Sequence, residues 1–170
     1  ETAGIPLIID NTMATPFLCQ PIQHGADIVV HSTTKFLSGH GNAMGGAIVD
    51  SGTFNWAQND KFPSLAQPEE AYHGLNFYES FGDLAYTTYG HAVGLRDLGP
   101  TMAPMNAYLT IMGIETLALR MEKHVANAKK IAAWLEGHDY SQGALISLLA
   151  QEVETGETAL RARVAKLEQL

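Results

Sequence analysis

The chain has 170 residues, 46% of them apolar, and a formal net charge of −8. That length and apolar content suit one domain with a sizeable core, and an acidic chain without a basic run is poorly matched to nucleic acid or anionic membrane surfaces. One cysteine, Cys19, excludes an intrachain disulfide framework and fits a reducing, cytoplasmic compartment, and no stretch reaches the roughly 18 to 20 uninterrupted apolar residues of a membrane span.

In chain order, ETAGIPLIID lacks an initiator Met and a signal-peptide pattern, and reads as the interior of a longer chain. IPLIID (5–10) is continuously apolar and ends on Asp10, which predicts a parallel strand covered on both faces. NTMATPFLCQPIQHGA is predicted as a loop with a short helix at most, because Pro16 and Pro21 limit helix length. ADIVVHS follows as a second apolar strand, at a separation suited to a parallel crossover. GGAIVD (45–50) reads as a third strand. FGDLAYTTYGHAVGLRDLG is predicted helical, stopping at Gly99–Pro100. A second helix is predicted from about Pro104, since proline suits a first turn. A long third helix is predicted from Ile114 to Glu136, its apolar face traced by Leu117, Met121, Val125, Ala128, Ile131 and Leu135. The final segment, SQGALISLLAQEVETGETALRARVAKLEQL, places Val153, Leu160, Val164, Leu167 and Leu170 at helical spacing and predicts an amphipathic helix. Strands linked by crossovers and then helices make an α/β layout. Trp56, Trp134, Met102, Met105, Met112 and Met121 are expected in the core. His73 and Arg96 are expected as structural contacts, and Glu122 and His124 as solvated.

The chemistry concentrates in HSTTKFLSGHG (31–41). A nucleotide-binding P-loop needs its glycines before the lysine and the hydroxyl after it, and here the order is reversed. Cys19, His24, His31 and His40 have no spacing that matches a structural zinc site. In open parallel sheets, ligands sit beyond the carboxyl ends of the strands. Asp10 ends one predicted strand, and Ser32, Thr34 and Lys35 cluster at the end of the next. Ser32 and Thr34, two apart, point the same way in extended backbone, which suits a phosphate. A carboxylate, small hydroxyls and one amine together suit pyridoxal 5'-phosphate: an amine for its aldehyde, an acid for its ring nitrogen, hydroxyls for its phosphate. Asp10 followed by Asn also has a plainer reading as a turn.

These residues carry a resemblance. IIDNT followed by PFLCQPIQHGADIVVHSTTKFLSGHG is similar to the cofactor region of the Cys/Met-metabolism family of pyridoxal-phosphate enzymes, and the similarity runs to about residue 138. It implies part of the large domain of a fold-type I transferase: a mostly parallel sheet with covering helices, ending in long helices. Residues 1–113 would be the C-terminal half of that cofactor-binding domain and 114–138 a connecting helix. Residues 139–170 do not match the family's small domain. The resemblance implies that Lys35 forms the Schiff base with the cofactor and serves as general acid and base. It places Asp10 at the pyridine nitrogen, Thr12 beside the ring, and Ser32 and Thr34 on the phosphate. The family's other phosphate-binding, ring-stacking and substrate-carboxylate residues have no counterpart in these 170 residues.

GGAIVDSGTFNW, YHGLNF, GLRDLGPTMAP and GIETLALRMEKHVANAKKIAAWLE resemble the branch that performs γ-replacement on O-acetyl-L-homoserine. Sulfide or methanethiol would be the second substrate, with homocysteine or methionine plus acetate as products. The resemblance further implies a homotetramer. Methionine γ-lyase or cystathionine γ-synthase chemistry remains open from the sequence, as does a non-catalytic fragment with a helical interaction tail.

Overall fold

The computed structural model describes residues 3–136; the predicted helix over 139–170 lies outside them. The chain divides into two compact units, residues 1–122 and 123–170. The first is α/β. Its sheet has three strands in the order β1-β2-β3, with β1 at Ile8–Asp10, β2 at Ile28–Ser32 and β3 at Gly46–Asp50. β1 and β2 are parallel, with Ile8 opposite Ile28 and Asp10 opposite Val30. They are joined by the predicted proline-limited crossover: helix α1 (Thr15–Leu18) and one 3-10 turn at Pro21–His24. β3 returns antiparallel to β2, pairing Asp50 with Ile28 and Gly46 with Ser32.

The central strand takes most of the burial. Ile28, Val29 and His31 are buried, whereas Ile5, Leu7 and Ile8 are roughly half exposed. The expectation that β1 is covered on both faces is therefore corrected. β1 is an edge strand, and an apolar run reports what a strand can bury, not which neighbours cover it. Behind the sheet, Ile28 meets Trp56, Leu65, Phe77 and Ala85 in the main core. Trp56 stacks on Tyr86 at 5.2 Å and takes the edges of Phe54 and Phe62. Aromatic pairs of this kind add about 0.5–1.5 kcal/mol each beyond their buried area.

Short helices bring these rings together. α2 (Pro63–Ala66) supplies Leu65, and α3 (Phe77–Phe81) supplies Phe77. α3 starts where Asn76 Oδ1 accepts from Glu79 N–H at 3.1 Å, a side-chain cap for otherwise unpaired amides. The predicted helix over 81–99 is in pieces: a 3-10 turn at Gly82–Leu84, α4 at Ala85–Tyr89, and a π-helical segment at Gly90–Leu98. It stops at Gly99, as predicted.

α5 (Pro104–Ile114) begins with its proline in the first turn, and α6 (Leu117–Glu136) follows after a two-residue break. On α6 the apolar stripe is buried only at Leu117 and Met121, which pack with Leu37. In the second unit, Val125 and Leu135 are partly exposed and Ala128, Ile131 and Trp134 exposed. Met105 and Met112 are also exposed, so of the residues expected in the core only Trp56 and Met121 are fully buried. A helical period identifies a face, but burial needs a partner that local spacing does not encode. No helix among the described residues is long and apolar enough to cross a membrane.

Candidate active site

The parallel pairing of β1 and β2 sets their carboxyl ends side by side, and the chemistry-bearing residues leave from there. Asn11 extends the ladder by one bond, its N–H donating to Val30 O at 2.9 Å. Asn11 is buried and anchors the turn, with Nδ2 donating to Cys19 O at 2.9 Å and its carbonyl accepting from Thr15 N–H at 2.9 Å. Thr15 is fully buried at φ +61°, a conformation costly for a β-branched residue and often found near functional sites.

The turn makes a strap. Thr12 N–H donates to Asp10 Oδ1 at 2.9 Å, and Thr12 Oγ1 accepts from Ser32 N–H at 2.8 Å. The Thr12 hydroxyl in turn donates to Asp10, and this bond, followed by the one from the Thr12 amide, holds the Asp10 carboxyl below its ordinary range. One threonine thus ties the carboxylate ending β1 to the last residue of β2 and lowers its pKa. Beside it, His31 is buried, and burial pushes its imidazole below the ordinary value against the opposing pull of Asp10 and a bond to the Asn11 backbone. His31 is therefore neutral near pH 7, and its Nδ1 lacks a hydrogen-bond partner.

Past Ser32 the chain enters a π-type turn, Thr33–Leu37, which breaks at Lys35 (φ −90°, ψ −122°). Lys35 is exposed. Thr33 N–H donates to Gly45 O at 3.0 Å, Thr34 Oγ1 accepts from Gly45 N–H at 3.1 Å, and the same hydroxyl donates to Gly45 O at 3.3 Å. Thr34 thus fastens the lysine turn to the residue preceding β3. Of the sequence-predicted residues, Asp10, Thr12 and Ser32 are joined by hydrogen bonds, Lys35 follows three residues later, and the Thr34 hydroxyl is engaged with backbone.

The large cleft, about 1030 Å³, adjoins the lysine turn through His31, Thr34 and Gly45. Thr34, Tyr86, His91 and Met102 are among its walls, and Asp10, Thr12, Ser32 and Lys35 are not. The candidate site is placed at the strand ends because Asp10, Thr12 and Ser32 are hydrogen-bonded there and Lys35 follows three residues later. Among the described residues, no group of three or more His, Cys, Asp or Glu could hold a metal ion. Arg96 takes the structural role expected of it: Nε pairs with Asp97 at 2.9 Å and Nη2 donates to the Tyr72 hydroxyl at 3.0 Å, while that hydroxyl donates to Asp97. His73 closes the neighbouring 3-10 turn at φ +57°.

Three residues were not legible as parts of this site. Asn11 has a local signal, its place between Asp10 and Thr12. Gly113 and Arg120 have none, because both act on the lysine turn from far along the chain. The Arg120 guanidinium donates to the carbonyls of Phe36 (2.8 Å), Leu37 (3.4 Å) and Gly113 (2.7 Å).

Residues 1–154 match the Cys/Met metabolism PLP-dependent enzyme family. The chain is 51% identical over 146 residues to an O-acetyl-L-homoserine sulfhydrylase of Leptospira meyeri, covering 81% of this chain and 33% of that protein. It is 51% identical over 139 residues to a homocysteine/cysteine synthase of Saccharomyces cerevisiae, covering 81% of this chain and 31% of that protein. It thus spans about a third of the length of the curated relatives it matches. Among solved structures, it is similar to a Campylobacter jejuni protein assigned as an O-acetylhomoserine (thiol)-lyase, which carries a pyridoxyl-lysine phosphate. That likeness has a TM-score of 0.75 at 43% identity, over 81% of this chain and 34% of that one. A cystathionine γ-synthase of Xanthomonas oryzae is similar at a TM-score of 0.54 and 30% identity, over 81% of this chain and 27% of that one.

Proposed function

Since the chain belongs to the Cys/Met metabolism PLP-dependent enzyme family, we propose that it supplies the lysine-bearing part of the site of an enzyme performing γ-replacement on O-acetyl-L-homoserine. Sulfide or methanethiol is the second substrate, and the products are homocysteine or methionine plus acetate. The observation that carries this reading is the Asp10–Thr12–Ser32 strap, which ties the carboxylate ending β1 to the end of the parallel β2, three residues before an exposed lysine. The fit to the cofactor lies in that donor set: a carboxylate whose pKa hydrogen bonds lower, one accessible amine three residues beyond the strap, and a serine at the end of β2.

Pyridoxal 5'-phosphate, when bound, supplies an electron sink for charge developing next to the substrate amine. The residues of this chain do the remaining work. Asp10, anionic across the physiological range, holds a proton at the ring nitrogen. Thr12 lowers the Asp10 pKa further and, through its bond to Ser32 N–H, ties it to the end of β2. Ser32, with its N–H already satisfied by Thr12, keeps its hydroxyl for the phosphate. Thr34 would reach the phosphate only by exchanging its 3.3 Å bond to Gly45 O for one to a phosphate oxygen. Lys35 would hold the cofactor covalently, and its amine, when free, would move protons at the substrate Cα and Cβ. Residues 1–113 are read as the C-terminal half of the cofactor-binding large domain and 114–138 as a connecting helix. The enzyme is read as cytoplasmic and tetrameric, which light scattering checks.

The decisive experiment is reductive trapping. Protein incubated with pyridoxal 5'-phosphate and reduced with borohydride should carry a pyridoxyl group on Lys35, located by peptide mass, and Lys35→Ala should lose it. A pyridoxyl group spread evenly over surface lysines such as Lys61 would refute the assignment. For the reaction, homocysteine release from O-acetyl-L-homoserine plus sulfide is expected. Elimination without thiol capture would instead identify a lyase.

A further inference from the structure

The backbone around Lys35 is held from a distance. Lys35 departs from helical geometry in the middle of its turn, and the carbonyls of Phe36 and Leu37 lie just beyond it. Arg120, 84 positions later in sequence than Phe36, takes them: Nη1 donates to Phe36 O at 2.8 Å and Nη2 to Leu37 O at 3.4 Å. The same Nη2 donates to Gly113 O at 2.7 Å, and Nε donates to Thr116 Oγ1 at 3.1 Å. The guanidinium thus joins the lysine turn to the end of α5, with three backbone carbonyls and a hydroxyl as its hydrogen-bond acceptors.

Two glycines make room for this arrangement. Gly39 has φ +72°, and a Cβ there would lie 2.4 Å from Arg120 Nη1, so the guanidinium lies against bare backbone. A Cβ at Gly113 would lie 2.0 Å from Ser38 O, so α5 meets the lysine turn backbone to backbone. Leu37, Leu117 and Met121 pack together nearby. A planar fork with donors in fixed, spread directions matches carbonyls of two segments at once, whereas a lysine ammonium gathers its three donors at one point on a flexible stem.

We propose that Arg120 is a positioning residue for Lys35: by fixing the Phe36 and Leu37 carbonyls it sets the direction in which the Lys35 side chain leaves the turn. This rests on the assignment of Lys35 above. Arg120 acts through the backbone and touches neither cofactor nor substrate.

The test compares wild type, Arg120→Ala, Arg120→Lys and Thr116→Val. One readout is amide exchange at Ser38 and Gly39, whose N–H groups donate to Thr33 O and Lys35 O at 3.0 and 2.8 Å, with the β2–β3 amides as internal control. The other is the rate at which pyridoxal 5'-phosphate is trapped on Lys35 by borohydride, read by peptide mass. Loss of charge-assisted hydrogen bonds predicts exchange at Ser38 and Gly39 about tenfold faster in Arg120→Ala, and trapping slower by a similar factor. Arg120→Lys should not restore either readout. Thr116→Val, which keeps Arg120 but frees its Nε, should shift both in the same direction by less. Faster exchange with wild-type trapping means that Arg120 only packs, and overturns the inference. Unchanged exchange overturns it too. A wild type that forms no Lys35 adduct overturns the assignment of Lys35 itself, and this inference with it.

Discussion

Thr12→Val separates the two jobs of the strap. Valine keeps the β-branched shape and loses the hydroxyl, so the packing of the turn is preserved. Ser32 N–H then loses the acceptor it meets at 2.8 Å. An unsatisfied donor costs about 1–3 kcal/mol when fully buried. Ser32 is partly exposed and water can reach it, which places the cost at the lower end, about 1 kcal/mol. With a urea m-value near 2 kcal/mol/M, the unfolding midpoint should fall by about 0.5 M. Asp10 meanwhile loses the first of the two bonds that hold its carboxyl below the ordinary value and keeps the one from the Thr12 amide. Its midpoint in an NMR carboxyl titration should therefore rise part of the way back. The sign follows from linkage: a carboxyl whose pKa is lowered on folding adds stability above its unfolded value, here 3.8, and that stability is lost as pH falls through the folded value. In Thr12→Val this acid-sensitive window narrows. An Asp10 midpoint that stays where it is in wild type would refute the argument that the threonine hydroxyl lowers the carboxyl pKa.

Other perturbations probe the frame around the site. Phe77→Ala empties a position 1% exposed and ringed by Tyr72, Phe81 and Tyr89. The expected loss of about 3–5 kcal/mol is a large share of the stability of an ordinary domain, and thermal unfolding followed by circular dichroism should drop sharply; a shift of only a degree or two would contradict the core described here. Gly113→Ala drives a methyl group to 2.0 Å from Ser38 O, where neither side can yield without moving backbone. Overpacking of this kind costs about 1–3 kcal/mol, and exchange should quicken over residues 33–39 before it does in the sheet. His31, whose pKa is lowered mainly by burial, resists a proton that the unfolded chain accepts near pH 6.5. Stability should fall as pH drops from there toward the folded value, and His31→Gln should flatten that part of the pH profile; an unchanged slope assigns the effect to another group.

Much of this protein is written locally. IPLIID, ADIVVHS and GGAIVD announce strands, Pro104 opens a helix, and Gly99–Pro100 closes one, because backbone preference and hydrophobic period act over a few residues. The pairing of Asp10 with the Ser32–Lys35 group was also readable, since a strand's last residue and the next strand's last residue share an edge once the crossover is parallel. Tertiary structure decided the rest. It made β1 an exposed edge, turned β3 antiparallel, spent the Thr34 hydroxyl on Gly45, and left Trp134, Met105 and Met112 outside the core. It also brought Arg120 to the carbonyls of Phe36 and Leu37. Residues this far apart share no period and no turn, so their meeting depends on how α5 and α6 pack against the lysine turn. The sequence alone determined which residues could do chemistry; three-dimensional packing decided which way they are held, because direction is set by contacts between segments that local preference cannot see.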